Sequence, residues 1–175
     1  MPVVAHLGER RASTARSSVS TVAAVMREYA NRAVFQGLSQ TQGCDGIASF
    51  RMTWHRNREF DLVVDTRRGR LTFPVLLPAL PSDPSMYVEL KGFVASHQLP
   101  DRPEHRRIDP RKGRVTCSLN RKRDVSLTLT VKDGDYDYAI QRLVQLVHEI
   151  YLIFLANGMY YDYKVEQLNA DPDWG

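Results

Sequence analysis

The chain has 175 residues, 43% hydrophobic and 25% charged, with a net charge of +4. That is enough for one domain with a real core, and the composition excludes a collagen-like, low-complexity or wholly disordered polymer. Cys44 and Cys117 are the only cysteines; they cannot build a zinc site alone or a disulfide framework, so a reducing, cytoplasmic compartment is expected.

In chain order, "MPVVAHLGERRASTARSS" has no apolar core of signal-peptide length, and its charges follow its apolar residues instead of preceding them. Residues 1–17 are read as a disordered basic leader; their Arg and Ser content also resembles an organelle transit peptide, without its longer amphipathic pattern. A single α+β domain is expected over 18–157. Ser17, Ser18 or Ser20 caps a helix through "VAAVMREYANRAVFQGL", where Val22, Val25, Met26, Tyr29, Ala33, Val34 and Leu38 recur at helical spacing. "QTQGCDG" breaks it. "IASFRMTW", "EFDLVVDT" and "LTFPVLLP" then alternate with period two, joined by "HRNR" and "RRGR", connections too short for a parallel crossover, so they form an antiparallel meander.

Phe50, Met52 and Trp54 of this meander are expected to face the core and Phe60, Leu62 and Val64 share one face of their strand, while Ile47, Leu71, Phe73 and Val75 have no settled side. Apolar residues on both faces would leave one apolar face open, which usually marks an interface. Asp83 as N-cap, Pro84 at the first helical position and Met86, Leu90, Phe93 and Val94 at helical spacing predict a helix of about three turns. Residues 106–119 and 122–131 form a second hairpin turning at Asn120 to Arg123. A closing helix starts near Asp135 or Asp137 and runs to Gly158, carrying Tyr138, Ile140, Leu143, Val144, Leu146, Val147, Ile150, Tyr151, Phe154 and Leu155 on its buried side. Gln141, Arg142, Gln145, His148 and Glu149 interrupt its apolar run, so it is not a membrane span. Residues 158–175 form a Tyr- and Asp-rich tail. The expected architecture is α-β-β-β-α-β-β-α, a five-stranded, mainly antiparallel sheet with helices on one face.

Charge is unevenly distributed. Residues 101–123 hold nine basic and three acidic side chains, and 124–175 hold three and nine. Arg106, Arg107, Arg111, Lys112, Arg114, Arg121, Lys122 and Arg123 form the candidate site for an anionic partner. Four readings fit: basic gatekeepers on a solvated sheet edge, cations holding a nucleic-acid backbone, a dock for an acidic client segment, or a dock for the acidic third of a second copy. No exposed aromatic interleaves these cations, so base stacking is not signalled.

The element order resembles the type III secretion chaperone-like fold, including the YbjN-like bacterial proteins. The features that match are the leading helix, the meander, the helix "SMYVELKGFVASHQ", the hairpin "RIDPRKGRVTCSLNRKRDVSLTLTV" and the closing helix "DYDYAIQRLVQLVHEIYLIFL". The resemblance covers most of residues 18–157 and implies a non-enzymatic protein that dimerises and binds partners on a curved antiparallel sheet, the secretion chaperones holding an extended segment of a client. The chain departs from that group in being basic.

Catalytic motifs are wanting. "HEIYL" at His148 lacks the second His of a metalloprotease, Leu152 standing there, and His148 with Glu149 is read as an exposed polar stripe. "KDGDYDY" lacks the Gly and Glu of a calcium loop, so Asp133, Asp135 and Asp137 are read as strand exit and helix cap. "KGF" at Lys91 opens like an RNA-recognition strand but lies in a helical pattern. Glycine-rich nucleotide loops and the nucleophile-elbow pattern are absent from the sequence. The expectation is a non-catalytic binding or adaptor protein, without cofactor or metal and not membrane-bound, a homodimer with a protein client; nucleic-acid binding and an enzyme without recognisable motif are the alternatives.

Overall fold

The computed structural model describes residues 3–168, with side chains from residue 9 onward except at 158. Helix α1 (Val3–Asn31) opens the chain. It includes most of the segment expected to be a disordered leader, and it stops seven residues short of Leu38. Ala33 takes a left-handed backbone (φ 58°), so Val34 N–H reaches back to Tyr29 O at 3.0 Å and Ala33 N–H to Ala30 O at 3.0 Å. This is the bonding of a Schellman cap, made here on alanine instead of glycine. Val22 and Met26 are fully buried beneath the second half of α1, which packs on the closing helix.

Six strands follow where five were expected. They are β1 (Gln36–Gln42), β2 (Ile47–Trp54), β3 (Arg58–Asp65), β4 (Arg70–Leu77), β5 (Gly113–Leu119) and β6 (Val125–Val131). All pairings are antiparallel, in the order β1-β2-β3-β4-β6-β5. The additional strand is "QGLSQTQ", whose start was assigned to the helix and whose end to the break. Helix α2 (Pro84–Ser96) begins as expected, Asp83 accepting the Ser85 N–H at 2.9 Å with Pro84 behind it. Helix α3 (Tyr136–Glu149) is capped by Asp135, which accepts from Tyr138 N–H at 3.0 Å.

Instead of running on as α-helix to Gly158, α3 passes into a π-helical turn, Ile150–Phe154, closed by Leu155 N–H to Ile150 O at 2.9 Å. Of the expected tail, Gly158–Tyr160 forms a 3-10 turn and α4 (Tyr161–Glu166) follows. Residues 169–175 lie outside the described ones. Tyr163 anchors α4 to the sheet end by donating to Pro78 O at 2.7 Å, and it is buried with Tyr160 and Leu168.

The core lies between one sheet face and the helices. Phe50, Met52, Phe60, Leu62, Val64, Leu71, Phe73, Leu127 and Leu129 are buried there, and cross-strand pairing of Phe50 with Leu62, Val64 with Leu71, and Phe73 with Leu127 confirms one shared face. Burying a phenylalanine contributes about 1.5–3 kcal/mol, so Phe60→Ala would cost about 3–5 kcal/mol. The opposite face is polar, contrary to the expectation of hydrophobic residues on both. Leu71 and Phe73 turn inward, and the outer face carries a row Thr116, Thr128, Thr72, Val63, Ser49, Thr41 across all six strands. Thr72 and Thr128 hydroxyls meet at 3.1 Å, and Ser118 and Ser126 at 2.7 Å. Among the described residues no helix is long and apolar enough to cross a membrane.

Candidate functional site

The basic segment folds into two groups at opposite ends of β5, which spans about 23 Å. Most of its cations are engaged within the chain. Arg106 Nε donates to Glu149 Oε1 at 2.7 Å, and Arg107 Nη1 to Pro100 O at 3.3 Å. Arg111 forks onto Asp109 at 2.8 and 3.2 Å, and its hydrogen bonds hold the Asp109 carboxyl at about 2. Lys112 Nζ lies 2.8 Å from Asp135 and 3.0 Å from Asp133, hydrogen bonds that raise the ammonium pKa. Arg123, left-handed at φ 63°, donates to Leu80 O at 2.8 Å and also to Pro81 O. Only Arg114, on the open face beside Thr130, and Arg121 and Lys122, exposed in the hairpin turn, keep outward charges without a partner among the described residues. Arg106 and Lys112, with Arg102, thus pair with carboxylates of the acidic block within one chain.

Glu149 is the centre of this neutralisation. The sequence pattern places it on an exposed stripe, yet its side chain is 3% exposed. His97 Nε2 stands 2.7 Å and Arg102 Nη1 3.1 Å from Oε2, while Arg106 Nε and Gln145 Nε2, at 2.7 and 3.2 Å, serve Oε1. Burial pushes its pKa up, but hydrogen bonds from Arg106, His97 and Gln145 outweigh burial and hold the carboxyl at about 2. His97 is itself buried, its Nδ1 2.9 Å from Phe93 O. The enclosed acid–imidazole pair ties the end of α2 and the following loop to α3.

A second histidine cluster sits at the β2–β3 turn. His55, Arg56 and Asn57 are all left-handed, at φ 43°, 64° and 63°. The His55 ring is stacked 4.3 Å from Trp54 and 4.2 Å from Tyr151, with His148 5.8 Å away. Burial first, then the charges of His148 and Arg58, lower the His55 pKa to about 3. His55 Nε2 and His148 Nδ1 are buried without a hydrogen-bond partner among the described residues. No group of three or more His, Cys, Asp or Glu suited to a metal occurs among the described residues.

The sheet edges differ. On β5, Gln98 Oε1 takes the Val115 N–H at 2.7 Å and the Tyr87 hydroxyl donates to Cys117 O at 3.4 Å, so α2 and its following turn close that edge. On β1 every residue but Leu38 is exposed, and among the described residues no segment beyond β2 hydrogen-bonds to its backbone. Beside β1, between it, α1 and the β1–β2 and β3–β4 turns, runs a groove of about 1380 Å³ lined by Arg10, Arg11, Arg16, Arg27 and Arg67, with Gln40 and Gln42 from β1. Neither the edge nor the groove was legible in the sequence, because β1 lacks the alternating apolar signal of a strand and the five arginines are scattered over 58 positions.

The fold is thus an α+β domain with an open, all-antiparallel sheet, one sealed edge and one free edge flanked by arginines. Comparison with protein-family models, curated proteins and solved structures returns no match for the chain.

Proposed function

We propose that this chain is a non-catalytic binding protein of chaperone or adaptor type, which takes an extended segment of a protein client as an added strand on β1. The observation that carries this reading is the asymmetry of the edges. An antiparallel edge strand presents alternate N–H and C=O groups to a new strand, and β1 leaves its own unoccupied while side chains occupy those of β5. Strand addition draws affinity from the main chain and specificity from alternate side chains. The reading agrees with what the resemblance to the type III secretion chaperone-like fold implies. A homodimer belongs to the same proposal: β1 of a second copy fits the same edge about a two-fold axis, so self-pairing and client binding exclude each other. A cytoplasmic location completes it, with Cys44 and Cys117 as free thiols.

Nucleic-acid binding through residues 102–123 is the weaker reading. With Arg114, Arg121 and Lys122 as its outward charges, spread over the length of β5, the segment offers no continuous phosphate track.

Hydrogen exchange tests the proposal. Extended peptides selected from a random library against the whole chain should slow amide exchange in Gln36–Gln42 and leave Gly113–Leu119 unchanged. Selected binders that protect neither edge, or only β5, would overturn it.

A further inference from the structure

The formal net charges of residues 101–123 and 124–175 are equal and opposite, so the net positive charge of the chain lies in residues 1–100, and much of it lines the groove beside β1. The guanidinium groups of Arg10, Arg11, Arg16 and Arg27 are exposed and engage no partner among the described residues. Arg67 reaches Asp45 at 3.4 Å, both ends of that pair being exposed. Asp45 is the single carboxylate among the described residues of the lining.

The groove runs along the strand. Near the C-terminal end of α1, Tyr29 packs on Phe35, just before β1, ring centres 6.2 Å apart; halfway along the helix, Ala15 lies 3.4 Å from where a Cβ on Gly46, just past β1, would stand. The helix therefore returns antiparallel to β1. From Ala15 to Tyr29 it rises about 21 Å, close to the ~23 Å of a seven-residue strand, so Arg16 and Arg27 lie along β1 while Arg10 and Arg11 continue past its Gln42 end. Gln40 pairs with Phe50 and Gln42 with Ala48, both on the helix side of the sheet. A strand added outside β1 would turn every second side chain toward that same side, beneath the arginines of α1.

We infer that the groove reads acidic side chains of the client: its ligand is an extended polypeptide with Asp or Glu at alternate positions. This rests on strand addition at β1. Arg suits the role because its planar fork meets a carboxylate with two parallel hydrogen bonds. The adjoining backbone edge selects a polypeptide over a nucleic acid, since only a peptide supplies alternating N–H and C=O groups along its length, and Tyr136, the one aromatic among the described residues of the lining, is buried and offers no stacking face.

The test is fluorescence anisotropy with the full chain and four probes: an eight-residue peptide alternating Glu and Val, the same peptide with Gln for Glu, the Glu peptide N-methylated at alternate residues, and a single-stranded oligonucleotide. The Glu peptide should bind about tenfold or more tightly than the Gln peptide, from the charge-assisted hydrogen bonds; N-methylation should abolish binding, and the oligonucleotide should not compete. Arg16→Gln with Arg27→Gln, both exposed on a helix, should weaken the Glu peptide about tenfold and leave the Gln peptide unchanged. If the Gln peptide binds as tightly and the arginine variants change nothing, the acidic specificity is overturned and strand addition stands. If the N-methylated peptide and the oligonucleotide bind like the Glu peptide, the site is a general polyanion groove, which overturns both. Binding of none of the four overturns both as well.

Discussion

Arg106 Nε stands 2.7 Å from Oε1 of Glu149, a carboxylate buried at the end of α3 whose other oxygen is shared by His97 and Arg102. The contact joins a residue of the basic run to one of the acidic third and turns both into parts of the scaffold. A carboxylate removed from water costs several kcal/mol, and this site offsets that cost with four donors.

Removing the acceptor should be severe. Glu149→Ala leaves Arg102 and Arg106 side by side without a counter-charge and the buried His97 Nε2 without its partner, and the expected loss is about 3–5 kcal/mol, a fall in Tm on the order of 10 °C for a chain of this size. Thermal unfolding followed by circular dichroism measures it; a loss under about 1 kcal/mol would show the cluster to be energetically idle.

The same carboxylate sets an acid limit. Its pKa is depressed from 4.5 to about 2 in the folded chain, so the folded state binds fewer protons than the unfolded one between those values. The stabilisation is complete above about pH 4.5 and is lost as pH falls through about 2. Urea midpoints taken from pH 5 to pH 2 should fall steeply for the native chain and less steeply for Glu149→Gln. Parallel curves would contradict the assignment.

His55 acts in a higher window. Its pKa is lowered from 6.5 to about 3, so the neutral ring stabilises the fold fully above about pH 6.5 and progressively less as pH falls toward 3. Asparagine tolerates the left-handed backbone at this position and does not titrate. His55→Asn should therefore flatten stability between pH 6.5 and 5, while losing about 1–3 kcal/mol at neutral pH with the stacks on Trp54 and Tyr151. An unchanged pH slope in chemical unfolding would rule out this role.

Arg123 combines a left-handed backbone with a guanidinium bridging to Leu80 O and Pro81 O. Glycine relieves the first and loses the second, so Arg123→Gly should be less destabilising than Arg123→Ala by about 1 kcal/mol. Arg121→Gln and Lys122→Gln, exposed and unpaired, should stay within about 0.5 kcal/mol of the native chain. Equal losses for glycine and alanine at position 123 would remove the backbone argument.

The edge and the open face make opposite predictions about self-association. Light scattering at tens of micromolar should give about twice the chain mass if β1 pairs with β1, and Gln40→Lys with Gln42→Lys should shift it to monomer, since lysine on an edge strand opposes pairing. Thr128→Lys, on the Ser- and Thr-rich face, should leave the mass unchanged. A dimer dispersed by Thr128→Lys and not by the edge lysines would move the interface to the open face.

Features that depend on near neighbours can be read from the linear chain. Asp83 and Pro84 mark the start of α2 because cap and first turn lie within three residues, and the alternation of Phe50, Met52 and Trp54 identifies a half-buried strand because side chains of a strand change face at every step. Other features arise only when distant segments meet. "QGLSQTQ" has little strand propensity and becomes β1 through its pairing with β2, while helix α1 ends at a left-handed alanine that no composition rule marks. Glu149 resembles a surface residue until His97, 52 positions away, is brought to 2.7 Å. The basic and acidic blocks look like two faces for two partners until folding sets Lys112 against Asp133 and Asp135. Whether a charge is spent inside the molecule or offered to another depends on which carboxylate lies within a few ångströms of it, and that distance is fixed only when the strands have paired.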